Sequence, residues 1–189
     1  MSAKFNFSLH RSAWLLALLI ITSALPAHAQ NELDAPFHYE LTEDGSGYII
    51  SPIQDLRYDN VLFVPATRES DGLPIVGIKG FSYNNYILAI IFEEGSNLKY
   101  IGPGCFQGCT GIEFIQSLPE SVESFGDYAF SGCSRLEDVP LNSNLKYIGI
   151  SCFEGCTSIR SIKLPKSLET VREAAFKDCT ALESVEFED

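Results

Sequence analysis

The sequence is poor in the residues that most protein chemistry depends on. It holds three histidines, one tryptophan and one methionine, and His10, His28, Trp14 and Met1 all fall within the first 29 residues. Beyond that point His38 is the sole histidine, so a Ser/His/Asp or Cys/His relay would have to be built around it. Nothing beside it in the chain recommends one. Lysine and arginine are also scarce, 13 against 25 acidic residues, for a formal charge of −12. Phosphate contacts need clustered cations, which argues against nucleic acid and anionic lipid as partners. The absence of any Cys-x-x-Cys pair, with histidine so rare, removes the usual zinc spacings. No glycine-rich loop joins a strand to a helix in the phosphate-binding pattern. We therefore expect no catalytic, cofactor or metal site.

Long apolar runs are equally rare. One stands at 13–21, behind Lys4 and Arg11 and ahead of Ala27-His28-Ala29. Positive start, short apolar stretch and small residues before a cut are the layout of a secretory signal peptide, too short to span a bilayer. Residues 1–29 are thus expected to be removed. Loss of Lys4 and Arg11 moves the formal charge to −14. No cysteine precedes Cys105, so no lipid-anchored N-terminus is expected. The mature chain is read as secreted, periplasmic or cell-surface-associated, without membrane insertion.

What the sequence does have is a period. Phenylalanines stand at 81, 106, 130, 153 and 176, separated by 25, 24, 23 and 23 residues. Three residues after each of the last four comes a cysteine: Cys109, Cys133, Cys156 and Cys179, with Asn84 in the first unit. Next come Ile112, Leu136, Ile159 and Leu182, then Ile115, Val139, Ile162 and Val185. Leu98, Val122, Leu145 and Leu168 each precede another apolar residue by three: Ile101, Phe125, Ile148 and Val171. Five residues later the phenylalanine returns. Such a repeat stacks units that cannot bury their apolar sides alone.

The segments Ile148-Gly149-Ile150-Ser151-Cys152-Phe153-Glu154-Gly155-Cys156 and Ile162-Lys163-Leu164-Pro165-Lys166-Ser167-Leu168 carry a family resemblance. They are similar to the 23-residue BspA-like (treponemal-type) leucine-rich repeat. The resemblance implies a right-handed leucine-rich-repeat solenoid of short parallel β-strands and short helical or 3-10 turns, with five repeats over 73–189. It extends more weakly to 37–72, which is similar to that family's hairpin-like opening, and 30–72 is read as an N-terminal cap. Arg172, Tyr83 and Asp178 depart from the pattern, each standing where the family usually has glycine. The resemblance also implies adhesion to host or neighbouring-cell surface proteins, such as matrix components.

Local reading adds detail. Apolar residues at 162 and 164 flanking Lys163 have the period of a half-buried strand, so parallel strands are expected at 115–118, 139–141 and 185–187. Gly108, Gly132 and Gly155 suit a left-handed end to a helical turn; Asp178 tolerates it and Tyr83 does so poorly. Gly80, Cys105, Ala129, Cys152 and Ala175, each before its phenylalanine, keep that place small. In the cap, 37–41 and 48–51 flank a hairpin loop at 43–47, and 61–65 reads as a degenerate first strand. The cysteines read as an inward ladder of free thiols, with disulfides and zinc as the competing readings. Glu120, Glu123, Asp127, Glu137 and Asp138 fall on solvated positions.

Surface is what remains for function. The outward neighbours of the expected strands grade from apolar (Ala89, Ile91, Phe114) to charged (Lys163, Glu186), and exposed Ile91 and Phe114 would mark a protein partner. A second column holds Tyr100, Ser124, Tyr147 and Thr170, whose two tyrosines suit anchoring. The competing reading is that these aromatics shield coil edges. The chain stops on Val185-Glu186-Phe187-Glu188-Asp189 with no expected cap, which admits an end-to-end homodimer.

Overall fold

The computed structural model describes residues 37–53 and 60–188; the expected leader and the start of the cap lie outside the described residues. Twelve strands follow in order: β1 Phe37–Leu41, β2 Tyr48–Pro52, β3 Asn60–Val64, β4 Ile75–Ile78, β5 Ile87–Phe92, β6 Tyr100–Ile101, then β7 Phe114–Ile115, β8 Ser124–Phe125, β9 Tyr147–Ile148, β10 Ser161–Leu164, β11 Thr170–Val171 and β12 Ser184–Phe187. The first two form an antiparallel hairpin. All later strand pairs are parallel, as a coil that climbs one rung per turn requires.

The strands build two walls of a solenoid. One is a seven-stranded sheet in the order β1-β2-β4-β6-β8-β9-β11; the other is split into β3-β5-β7 and β10-β12. The continuous wall therefore runs through the tyrosine column, not through the segments expected to be the main strands. Of those, 115–118 shrinks to β7, 185–187 falls within β12, and 139–141 forms no strand. Proline explains the gap. Gln116 N–H donates to the Ile90 carbonyl at 2.9 Å, and Pro140, the next residue in that column, has no N–H to repeat the bond.

A third wall consists of turns. The helical or 3-10 turns implied by the resemblance are absent among the described residues, and two left-handed positions per coil show why. In the second coil they are Gly104 (φ 57) and Gly108 (φ 70), and the N–H groups around them alternate between a carbonyl three residues back (Gln107 to Gly104) and the next coil (Phe106 to Ala129, Gly108 to Ser131), so no run of helical bonds forms. Tyr128, Ser151 and Ala174 fill the first position in later coils, while Tyr83 and Asp178 fill the second at its ends. Tyr83 thus takes the conformation expected to resist it. The turns bond across coils with reversed polarity: Phe106 N–H donates forward to the Ala129 carbonyl at 2.7 Å, whereas Glu123 N–H in the sheet wall donates back to Lys99 at 2.9 Å.

Inside, Phe81, Phe106, Phe130, Phe153 and Phe176 stand in file, with successive ring centroids 5.6, 5.4, 5.4 and 5.5 Å apart and interplanar angles from 26° down to 2°. Phe37 of the hairpin closes the file edge-on, 6.2 Å from Phe81. Beside it runs the expected ladder of free cysteines. Cys109, Cys133, Cys156 and Cys179 donate their thiols to the carbonyls of Phe81, Phe106, Phe130 and Phe153, one coil earlier, at 3.0–3.2 Å. Each thiol adds a second donor to a carbonyl that already accepts the backbone N–H three residues on.

The cap is locked by Arg68. Its guanidinium lies 5.2 Å from the Tyr39 ring centroid and 4.9 Å from that of Tyr48, and it donates to Tyr48 Oη at 2.7 Å. Tyr48 in turn donates to Asp71 at 2.8 Å. In the coil at 170–188 the inward positions are less covered, and Val171, Val185 and Phe187 are exposed.

Candidate interaction surface

The β3-β5-β7 sheet turns Leu62, Val64, Ile90 and Ile115 inward, and all four are buried. The alternate residues face out in register. Val61 pairs with Ala89 and Ala89 with Phe114; Phe63 pairs with Ile91. The result is one apolar strip across three rungs. Ile91, expected to be exposed, is only 7% exposed, because it sits on the middle strand and is flanked on both sides. Phe114 is half-buried. The exposure falls instead on Phe63, on the edge strand, at 48%. Two residues past Phe114 lies Gln116, whose Oε1 is buried without a hydrogen-bond partner. A buried acceptor left unpaired costs about 1–3 kcal/mol.

The seven-stranded wall has a different character. Gly77, Tyr100, Ser124, Tyr147 and Thr170 are in register along it. Tyr100 leans onto Gly77, where an added Cβ would stand 2.5 Å from Oη. Burial raises the Tyr100 phenol above its ordinary pKa, with Lys79 opposing. Beside the tyrosines runs one charge per rung: Lys99, Glu123, Lys146 and Glu169, their backbones bonded coil to coil. Glu123 bridges Lys146 at 2.8 Å and Lys99 at 4.0 Å. The Lys146 hydrogen bond holds Glu123 below the ordinary carboxyl range and raises Lys146 in return. Such exposed pairs contribute little to stability, but they fix the polarity of the face.

The signs alternate with a period of two coils. Tyr100, Ser124, Tyr147 and Thr170 alternate in step with them, and so do Cys105, Ala129, Cys152 and Ala175. Tyr100 and Tyr147 thus share a face, two rungs or about 10 Å apart. Ile91 and Phe114 share the other wall. Sequence reasoning missed Phe63. The signal for Phe63 was already present, since reading 61–65 as a strand with Leu62 inward turns Phe63 outward. Tyr83, Tyr86 and Tyr128, also exposed, lie on the turn wall.

Little here suits chemistry. Among the described residues no three His, Cys, Asp or Glu side chains are grouped to hold a metal ion. Burial pushes the Cys109 thiol up to about 11 and that of Cys156 to about 12, the wrong direction for a nucleophile. No helix among the described residues is long and apolar enough to cross a membrane.

Solved leucine-rich-repeat proteins share this architecture. The family model for the BspA type leucine rich repeat region matches residues 75–189 in six copies. The solved leucine-rich repeat protein of T. pallidum is 30% identical, with a TM-score of 0.71, over 79% of this chain and 68% of that one. A leucine-rich-repeat protein from Bacteroides ovatus is 26% identical, TM-score 0.69, over 80% of this chain and 39% of that one. A leucine-rich cell surface protein from Faecalibacterium prausnitzii shares the fold at 22% identity, TM-score 0.69, over 82% of this chain and 42% of that one. The chain therefore spans about two fifths of the length of the last two. No curated protein sequence matches it.

Proposed function

The chain belongs to the BspA-type leucine-rich-repeat family, and from that premise we propose that it is an exported, non-catalytic module of adhesion type that binds a protein on another cell or in its matrix. The observation that carries this reading is the apolar strip on β3-β5-β7, with Phe63 half-exposed at its edge. A rigid coil that displays an in-register apolar strip offers a preformed docking surface at little ordering cost. The signal-like leader and the description of the F. prausnitzii relative as a cell surface protein support export. The test uses the purified chain against an immobilised panel of extracellular-matrix and cell-surface proteins. Saturable binding that Phe63→Asp abolishes supports the reading; binding indifferent to that change, or none, overturns it. Export is checked by N-terminal sequencing of the secreted product, expected to begin at Gln30.

A second reading is self-association. The coil at 170–188 exposes Phe187 at 74%, beside a cleft lined by Leu164, Pro165, Leu168 and Val171. A second copy pairing there would cover these side chains. Light scattering decides it: a dimer that Phe187→Asp dissociates supports pairing, and a monomer at high concentration removes it.

A further inference from the structure

The β3-β5-β7 face specifies more than an apolar contact. We infer that its occupant is a basic, extended segment of a partner protein, one that lays an apolar side chain against Phe63 and Phe114. This rests on the docking reading above and adds the chemistry of the ligand.

Two observations converge. The strip formed by Val61, Phe63, Ala89, Ile91 and Phe114 is continuous in register, so it matches an extended segment running across rungs. Charge then selects the ligand. Strands β3, β5 and β7 hold no charged residue, and the segments leaving β5 and β7 at 93–98 and 116–121 carry Glu93, Glu94 and Glu120 but no cation. Ahead of β7, Glu113 is ion-paired with Arg135, which occupies the cation at that border. With a chain charge of −12, the rim attracts lysine and arginine and repels acidic segments.

The probes are synthetic peptides of alternating lysine and leucine, and of alternating glutamate and leucine, with binding followed by fluorescence anisotropy. The lysine–leucine peptide should bind saturably, and at least ten-fold tighter than its glutamate counterpart. Phe63→Asp should weaken it at least ten-fold, although the change adds an attractive charge; Tyr147→Ser, on the other wall, should leave it unchanged. Phe114→Ser is the second variant. It should weaken the peptide several-fold, and the melting temperature of each variant separates lost recognition from lost folding.

If the glutamate peptide binds as tightly, and Phe63→Asp abolishes it, the face docks proteins but the inference about their charge is wrong. If the lysine peptide binds Phe63→Asp undiminished, attraction is diffuse and the inference fails. If neither peptide binds, the docking reading falls with it.

Discussion

Tyr100 rests its ring on the bare backbone of Gly77, its partner in register one coil earlier, so closely that an added Cβ would stand 2.5 Å from Oη and 2.7 Å from Cε2. The backbone of Gly77 is not left-handed, and the tightest contacts a side chain would meet there are all with the ring. Gly77→Ala should therefore cost about 1–3 kcal/mol in urea unfolding. In a Tyr100→Ser background the cost should largely vanish, leaving a coupling energy of about 1 kcal/mol or more. Additive losses would show that the ring moves aside freely. The same contact lowers the value of Tyr100 as an anchor, since its ring is already engaged.

The phenylalanine file sets a gradient of stability. Phe153 stacks on both neighbours and is fully buried, whereas Phe176 stacks on one and is half-buried. Phe153→Ala should cost about 3–5 kcal/mol and Phe176→Ala less than half of that. Equal losses by denaturant titration would contradict a core built from neighbouring coils.

The thiol ladder makes two demands. Cys133→Ala removes the sulfur donor from the Phe106 carbonyl, which keeps the Cys109 N–H, and leaves a small cavity, for about 1–2 kcal/mol; Cys133→Ser, which keeps a donor, should cost less. A thiol reagent should leave the native chain largely unmodified at neutral pH, with Cys179, the least buried, reacting first. Unfolding without reductant should then release all six thiols. A shortfall would reveal disulfides and end the ladder.

Stability should fall on the alkaline side. Burial raises Cys109 from 9.0 to about 11 and Cys156 to about 12. A folded value above the unfolded one gives stability that is complete below pH 9.0 and is lost as pH climbs toward those values, because the unfolded thiol ionises first. On the acid side the signs reverse. Asp44, held at about 2 by the Thr42 and Ser46 hydroxyls, and Glu123, lowered by Lys146, stabilise above their ordinary values and lose that contribution as pH falls. These carboxylates are exposed, so the acid limb should be shallow and the alkaline limb steep. Melting temperature against pH checks both limbs; a profile flat from pH 9 to 11, or one unchanged in Cys109→Ala, contradicts the assignment.

The stacked phenylalanines were legible in the sequence because one cross-section, repeated, tolerates one side-chain volume. The cysteine ladder was legible for the same reason. Which wall would carry the continuous sheet was not, since both columns alternate apolar and polar residues. Pro140 held the clue, because a missing N–H interrupts one ladder and leaves the other intact. Ile91 misled because outward direction is not exposure: a middle strand is sheltered by its neighbours, and the edge strand inherits the solvent. Tyr83 shows a local preference overridden, its strained φ of 58 offset by a backbone bond to Gln107 and by contact with Gly108. The pairing of Lys99, Glu123 and Lys146 appears only once residues about a coil apart become neighbours.

The two-coil alternation makes this a molecule that counts in doublets. Lys99-Tyr100-Ile101-Gly102 returns as Lys146-Tyr147-Ile148-Gly149 after 47 residues, while the coil between them carries the opposite sign. Splicing out that single coil would set ammonium beside ammonium and phenol beside phenol. Removing or adding a matched pair would leave each side chain facing the neighbour it has now. The heritable tile of this chain is the pair, and lengthened or shortened versions should differ from it by an even number of turns.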